Sequence, residues 1–143
     1  MRFFLDTNVL FDLYVEERPF HADSFELVKQ GLLGNVQLIV TATSVMTMVY
    51  SLQRYKIPRE LIIGRLNRIL PHMEIAQVNS LELLAGINSG WSDLEDAIQF
   101  QAAVATGPVD AIVSNDKDFR HQKLVPVITP KQAVKRLKRP GLG

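Results

Sequence analysis

The chain has 143 residues, 47% of them hydrophobic and 22% charged, with a formal net charge of +1. This is the size and balance of one soluble globular domain, and the absence of cysteine excludes a disulfide framework, a thiolate metal site and a thiol nucleophile, in keeping with a cytoplasmic location. No apolar run has membrane-spanning length, and Asp6 and Asn8 interrupt the apolar start, so no signal peptide is expected.

The small net charge hides an asymmetry. Residues 1–116 carry 8 Lys/Arg and 14 Asp/Glu, while residues 117–143 carry the other 8 Lys/Arg against Asp118 alone. An acidic body with a basic end suggests an anionic partner for that end. The plainer alternative is a solvated, lysine-rich terminal helix.

Taken in order, Phe3 to Leu5 read as a strand with no polar face, buried on both sides as in the centre of a parallel sheet. Asp6 follows at its carboxyl end, where the crevice of an open α/β sheet lies. It stands there either as a helix N-cap or as a functional acid. A short helix is expected over Val9 to Tyr14, capped by Asp6 or Thr7. A second runs from about Phe20 to Leu33, with Phe20, Phe25, Leu27, Val28 and Leu32 on its apolar side and Gly34 as its stop. Val36 to Val40 is the next strand. The helix after it, about Ser44 to Tyr55, is so apolar that it should be largely buried on the sheet or a second subunit. Pro58 to Leu70 forms another helix, and Met73 to Ala76 a short strand.

Asn79 or Ser80 caps a helix to about Ile87. Ser92 and Glu95 then have the spacing of a capping box for a helix to about Thr106, whose buried face is marked by Leu94, Ala97, Ile98, Ala102 and Ala105. Ala111 to Val113 is a fully apolar strand followed by the polar loop Ser114 to Phe119. Val125 to Ile128 is the last strand, and Thr129-Pro130 opens a closing basic helix over about 130–139. Alternating strands and helices give a three-layer α/β/α sandwich around a mainly parallel central sheet, as one domain over 1–143.

Several acids fall at comparable places. Asp6 follows the first strand, Asp93 and Asp96 lie in the first turn of a helix, and Asp116 and Asp118 lie in the loop after a later strand. In an α/β fold all of them can converge at one edge. Crowded carboxylates repel, and a hard cation such as Mg²⁺ or Mn²⁺, which prefers oxygen ligands, relieves the repulsion. Such an ion activates water and clamps phosphodiester oxygens, which is nuclease chemistry without a side-chain nucleophile. Each acid also has a structural reading: Asp93 favours a helix N-terminus, Glu95 is a capping-box partner, and Asp116 and Asp118 suit a solvated turn. His21, His72 and His121 form no spaced ligand motif.

In order and spacing, Leu5-Asp6-Thr7-Asn8, Asp93-Leu94-Glu95-Asp96-Ala97, and Asp110-Ala111-Ile112-Val113-Ser114-Asn115 through Asp118-Phe119 together resemble a PIN domain. This is the fold of many metal-dependent ribonucleases, including VapC-type toxins of toxin–antitoxin pairs. The resemblance implies that Asp6, Asp96 and Asp118 are the catalytic, metal-holding acids, with Asp93 as an additional metal ligand and Asp116 as the alternative to Asp118 in its loop. It implies supporting polar roles for Thr7, Asn8, Ser114 and Asn115. It departs from the family at one place: the acid normally found on the helix after the second strand is absent, and Thr47 stands there. A hydroxyl contributes no negative charge, so weaker metal binding is expected.

The reading is a Mg²⁺- or Mn²⁺-dependent endoribonuclease, the toxin of a toxin–antitoxin pair. Its partners are an RNA substrate, an antitoxin and a second copy of the chain, and Lys117, Arg120, Lys135 and Arg136 contact RNA phosphates. Two alternatives stand beside it. One is a PIN-like module that binds RNA or protein and has lost catalysis, favoured by Thr47. The other is an α/β interaction module that dimerises through the 45–52 helix.

Overall fold

The computed structural model describes residues 1–139. Among them five strands, β1 (Arg2–Leu5), β2 (Gln37–Thr41), β3 (Met73–Ala76), β4 (Ala111–Val113) and β5 (Val127–Ile128), form one sheet in the order β3-β2-β1-β4-β5. Every pairing is parallel, with Phe3 opposite Leu38 on one side and Ala111 on the other. Seven helices accompany it: α1 (Thr7–Asp12), α2 (His21–Leu32), α3 (Ala42–Arg54), α4 (Arg59–Ile69), α5 (Ser80–Ile87), α6 (Leu94–Ala105) and α7 (Pro130–Leu137).

The strand pleat sorts the core into two layers. Phe3, Leu5, Leu38, Val40, Ala111 and Val113 point to the face covered by α1, α2, α3, α4 and α7, where they meet Val9, Leu10, Leu27, Met48, Leu52, Ile62 and Ala133. Phe4, Ile39, Ala76 and Ile112 point to the other face, against Phe100, Ala102, Ala103 and Phe119. Both faces are therefore apolar, as a parallel sheet requires, and the three-layer α/β/α sandwich is the observed architecture.

The chain winds outward from β1 through β2 to β3. It then crosses back to place β4 on the other side of β1. The two connections next to β1 thus leave in opposite directions, and a crevice opens beyond the carboxyl ends of β1 and β4. At the opposite end of β1, the Arg2 guanidinium holds both Glu74 oxygens at 2.8 Å and the carbonyl of Pro108 at 2.6 Å. This ion pair keeps the Glu74 carboxyl below the usual range.

Several expectations need correction. The helix α3 is amphipathic: Ser44, Met48 and Leu52 are buried, while Met46 and Tyr50 are 70% and 60% exposed. Its apolar residues do not lie on one side, so only every fourth residue reaches the sheet. Phe20 and Phe25 are exposed rather than on the packed side of α2. Leu94 is exposed too, and the buried face of α6 consists of Asp96, Ala97, Gln99, Phe100, Ala102 and Ala103.

The close packing of α5 on α6 depends on Gly86. A Cβ there would lie 2.6 Å from Ile98 Cγ1 and 2.8 Å from Ile98 Cα, so backbone as well as side chain would have to move. In an isolated helix Gly86→Ala gains about 1 kcal/mol. Here overpacking outweighs that gain, and the variant is expected to lose ~1–3 kcal/mol in a urea unfolding titration. A neutral or stabilised variant would show that the two helices separate freely.

Candidate metal-binding acid site

The chain reaches the crevice from three places. Asp6 leaves β1 with its backbone N–H bonded to the Val113 carbonyl at 3.0 Å. It occupies the N-cap position of α1, yet its carboxylate caps nothing. The side chain, 1% exposed, instead accepts a hydrogen bond from Ser114 Oγ at 2.8 Å and a long one from Gln99 Nε2 at 3.4 Å. The sequence left Asp6 open between cap and functional acid; its closest side-chain partner is Ser114, just after β4, rather than a first-turn N–H of α1.

At the start of α6 the expected capping box is not the observed one. The helix begins at Leu94, so Asp93 is the N-cap and accepts from the Asp96 N–H at 3.0 Å. Ser92 is left outside and Glu95 is released from capping. Its Oε1 lies 3.1 Å from Thr7 Oγ1, and it lines the pocket that holds Asp6, Asp93, Asp96 and Asp116. The reason is local: Asp caps as well as Ser does, and one residue's shift moves every first-turn side chain by about 100° around the axis.

After β4, Ser114 Oγ accepts from the Asp116 N–H and the Asp116 carboxylate accepts from the Asp118 N–H, both at 2.9 Å. Aromatic packing pins this turn to the loop before α6. Trp91 stacks on Phe100 with centroids 5.1 Å apart and stands edge-on to Phe119 at 6.1 Å. Because Trp91 and Phe119 neighbour the two acidic segments, Asp93, Asp96 and Asp118 each offer an oxygen within 4.8 Å of the others.

The electrostatics follow from the crowding. Burial pushes the Asp96 carboxyl up to about 8, with Asp6, Asp93, Asp116 and Asp118 adding to the shift. Burial likewise pushes Asp6 up to about 6 against the opposing hydrogen bonds from Ser114 and Gln99. Asp96 Oδ2 is buried without any hydrogen-bond partner. An orphaned carboxylate oxygen amid like charges fits a hard divalent cation, for which oxygen donors are the preferred ligands.

Beneath the acids lies a neutral polar ladder. Thr7 Oγ1 is 2.8 Å from Ser44 Oγ, which accepts from Thr41 Oγ1 at 2.9 Å and donates to Gln99 Oε1 at 3.3 Å. Ser44 and Gln99 were not among the sequence candidates. Gln99 carried a signal nonetheless: an amide three residues after Asp96, on a face otherwise built of Ala and Phe. Thr47, at the position of the missing acid, is exposed and lines the same pocket, as do Thr7 and Asn8.

The basic candidates divide. Lys117 shares a cleft with Asn8, Asn115 and Asp116 beside the acids. Arg120 is exposed in the short 3₁₀ turn Asp118–His121. Lys135 and Arg136 line a separate shallow cleft with Ile128, Gln132 and Arg139 that shares no residue with the acid pocket.

A parallel α/β sheet with carboxylates gathered outside its switch point defines the class as an α/β domain with an acidic crevice at its carboxyl edge. A PIN domain family model matches residues 2–118, and the chain belongs to that family. The match spans every acid of the site and stops short of α7. The chain is 30% identical over 122 residues to ribonuclease VapC1 of Aquifex aeolicus (strain VF5), covering 81% of this chain and 82% of that one. Its fold is similar to the crystal structure of VapBC2 from Rickettsia felis bound to a DNA fragment from their promoter. That match has a TM-score of 0.65 at 15% identity, over 90% of this chain and 98% of the other.

The raised carboxyls have a stability signature. Between the ordinary 3.8 and about 8, Asp96 holds a proton in the folded state that the unfolded chain has already released. Stability therefore falls as pH rises through that window. The melting temperature of metal-free protein should drop as the pH is raised through about 6 toward about 8. Asp96→Asn should flatten the slope, and Mg²⁺ should raise the melting temperature more at the upper end. A melting temperature that climbs with pH across the window would contradict these assignments.

Proposed function

We propose that the chain, as one PIN domain, is a divalent-metal-dependent endoribonuclease and the toxin of a toxin–antitoxin pair. The observation that carries the reading is the orphaned Asp96 oxygen among converging carboxylates, in a chain similar to a VapC ribonuclease. Asp6, Asp96 and Asp118 would hold Mg²⁺ or Mn²⁺, with Asp93 and Asp116 adding charge or a further ligand atom. When bound, such an ion lowers the pKa of water and offsets charge on phosphoryl oxygens.

The chain's own groups do the rest. Ser114 and Gln99 hold Asp6 in one orientation, and Asp93 fixes the first turn of α6 so that Asp96 faces the pocket. Thr47 presents a hydroxyl that can accept from or donate to water at the pocket wall. Lys117 and Arg120 supply phosphate contacts next to the acids, giving affinity without sequence choice. Lys135 and Arg136, on their separate cleft, serve as outlying contacts for a longer RNA. The resemblance to VapC-type toxins implies a separate antitoxin chain and a dimer.

The test is cleavage of purified RNA with Mg²⁺ or Mn²⁺ present and after chelation. Wild type should cut only with metal. Ser114→Ala, which removes a support of the ligand Asp6, should lose ~10–100-fold, and Asp6→Asn or Asp96→Asn at least as much. A folded wild type that binds RNA and leaves it intact at millimolar metal would establish instead the non-catalytic RNA-binding reading that Thr47 favours.

A further inference from the structure

The C-terminal end of α3 carries exposed aromatic and basic side chains that the acid site does not use. Tyr55 is 66% exposed yet lines the same pocket as Asp6 and Asp96. Its ring stands edge-on to Phe11, with centroids 5.5 Å apart. Phe11 is backed by the Arg18 guanidinium at 4.9 Å, and Arg18 is anchored by the buried Asp12. Tyr55 is thus braced at the mouth of the pocket with much of its surface free. Arg54, the residue before it, donates to the Oη of Tyr50, one turn back in α3, at 2.9 Å. Among the described residues the ion pairs are Arg2–Glu74 and Arg18–Asp12, so the charges of Arg54 and Lys56 are not neutralised by a carboxylate.

Lys56 adds an independent observation. It has φ 58°, the one positive φ among the described non-glycine residues. The Lys56 N–H bonds to the Gln53 carbonyl and the Ile57 N–H to the Leu52 carbonyl. This is the helix-ending motif whose left-handed position glycine fills at lowest energy. A lysine there sacrifices backbone stability and sets a cation beside Tyr55.

Exposed aromatics interleaved with unpaired cations are the chemistry that stacks bases and meets phosphates along a single strand. We propose that Tyr55, with Lys56, Arg54 and Tyr50 behind it, forms a track for single-stranded RNA leading out of the acid pocket. Tyr55 stacks on a base at the mouth of the acid pocket, and Arg54 and Lys56 take phosphates farther along the strand. The identity of the polymer rests on the nuclease reading above.

The experiment titrates the full chain, in chelator, against a short unstructured adenosine-rich RNA carrying 2-aminopurine. Wild type should bind and quench the fluorophore. Tyr55→Ala should bind ~10-fold more weakly and lose the quench, while Tyr55→Phe keeps both. Lys56→Gly should raise the melting temperature by ~2–4 °C. The same variant should bind more weakly, with the slope of log affinity against log salt reduced by ~0.7. A gain in stability with a loss of binding cannot come from unfolding.

Tyr55→Ala that binds and quenches like wild type overturns the track, and so does Lys56→Gly with an unchanged salt slope. A fall in melting temperature for Lys56→Gly overturns the role of Lys56, because its charge would then serve the helix end. If Tyr55→Ala converts a dimer to a monomer, a second copy covers this face and the track is wrong. Because the titration uses no metal, wild type that passes it and fails to cleave RNA with Mg²⁺ refutes the nuclease reading alone. Cleavage with unaltered Tyr55→Ala binding refutes the track alone.

Discussion

Mutual repulsion of carboxylates at the carboxyl edge of the sheet is the constraint around which the rest of the structure is arranged. Two unit charges ~4 Å apart repel by ~4 kcal/mol at an effective dielectric constant near 20, against a total stability of ~5–15 kcal/mol for a domain. Asp93, Asp96 and Asp118 offer oxygens within 4.8 Å of one another, and of the three Asp96 is the one shut away from solvent, so the repulsion falls on it most. Protonation at Asp96 is one relief, and a divalent cation is the other. The sheet and the aromatic packing keep the acids together: β1 is paired on both sides, β4 delivers the Ser114–Asp118 turn to Asp6, and Trp91 ties that turn to the start of α6.

The neutral ladder under the acids explains how the site holds its shape while its charge changes. Hydroxyls and an amide both donate and accept, so Thr7, Thr41, Ser44 and Gln99 satisfy one another with no net charge. Gln99 joins the ladder to Asp6 through its amide nitrogen and to Ser44 through its amide oxygen. Elements far apart in sequence are thereby fixed relative to one another by groups that do not titrate. The arrangement is the reverse of a buried ion pair, whose strength depends on both partners staying charged.

The fold was legible because burial on both faces leaves a plain mark: Phe3-Phe4-Leu5 and Ala111-Ile112-Val113 have no polar alternation and are wholly buried. That acids gather at one edge was legible from Asp6, Asp116 and Asp118 standing after those strands and Asp93 and Asp96 opening a helix. What failed was direction within a helix turn. Ser92 and Asp93 are equally good caps in sequence, and choosing the wrong one hid Glu95 from the site. The 44–55 helix read as largely buried because its apolar character was counted without regard to face, and Met46 and Tyr50 stand exposed. Ser44 and Gln99 were missed because a buried hydroxyl or amide shows its partners only in three dimensions.

The topology has a temporal consequence. Asp6 directly follows β1, but that strand's partner β4 lies more than a hundred residues later, and the serine that orients Asp6 comes just after it. Pairing across such separations is slow and cannot begin until both segments exist. Nothing in the first half of a nascent chain can preassemble the acid edge. Whatever chemistry that edge performs, it is withheld from the ribosome-bound fragment and switched on only when the chain through Asp118 is free to fold.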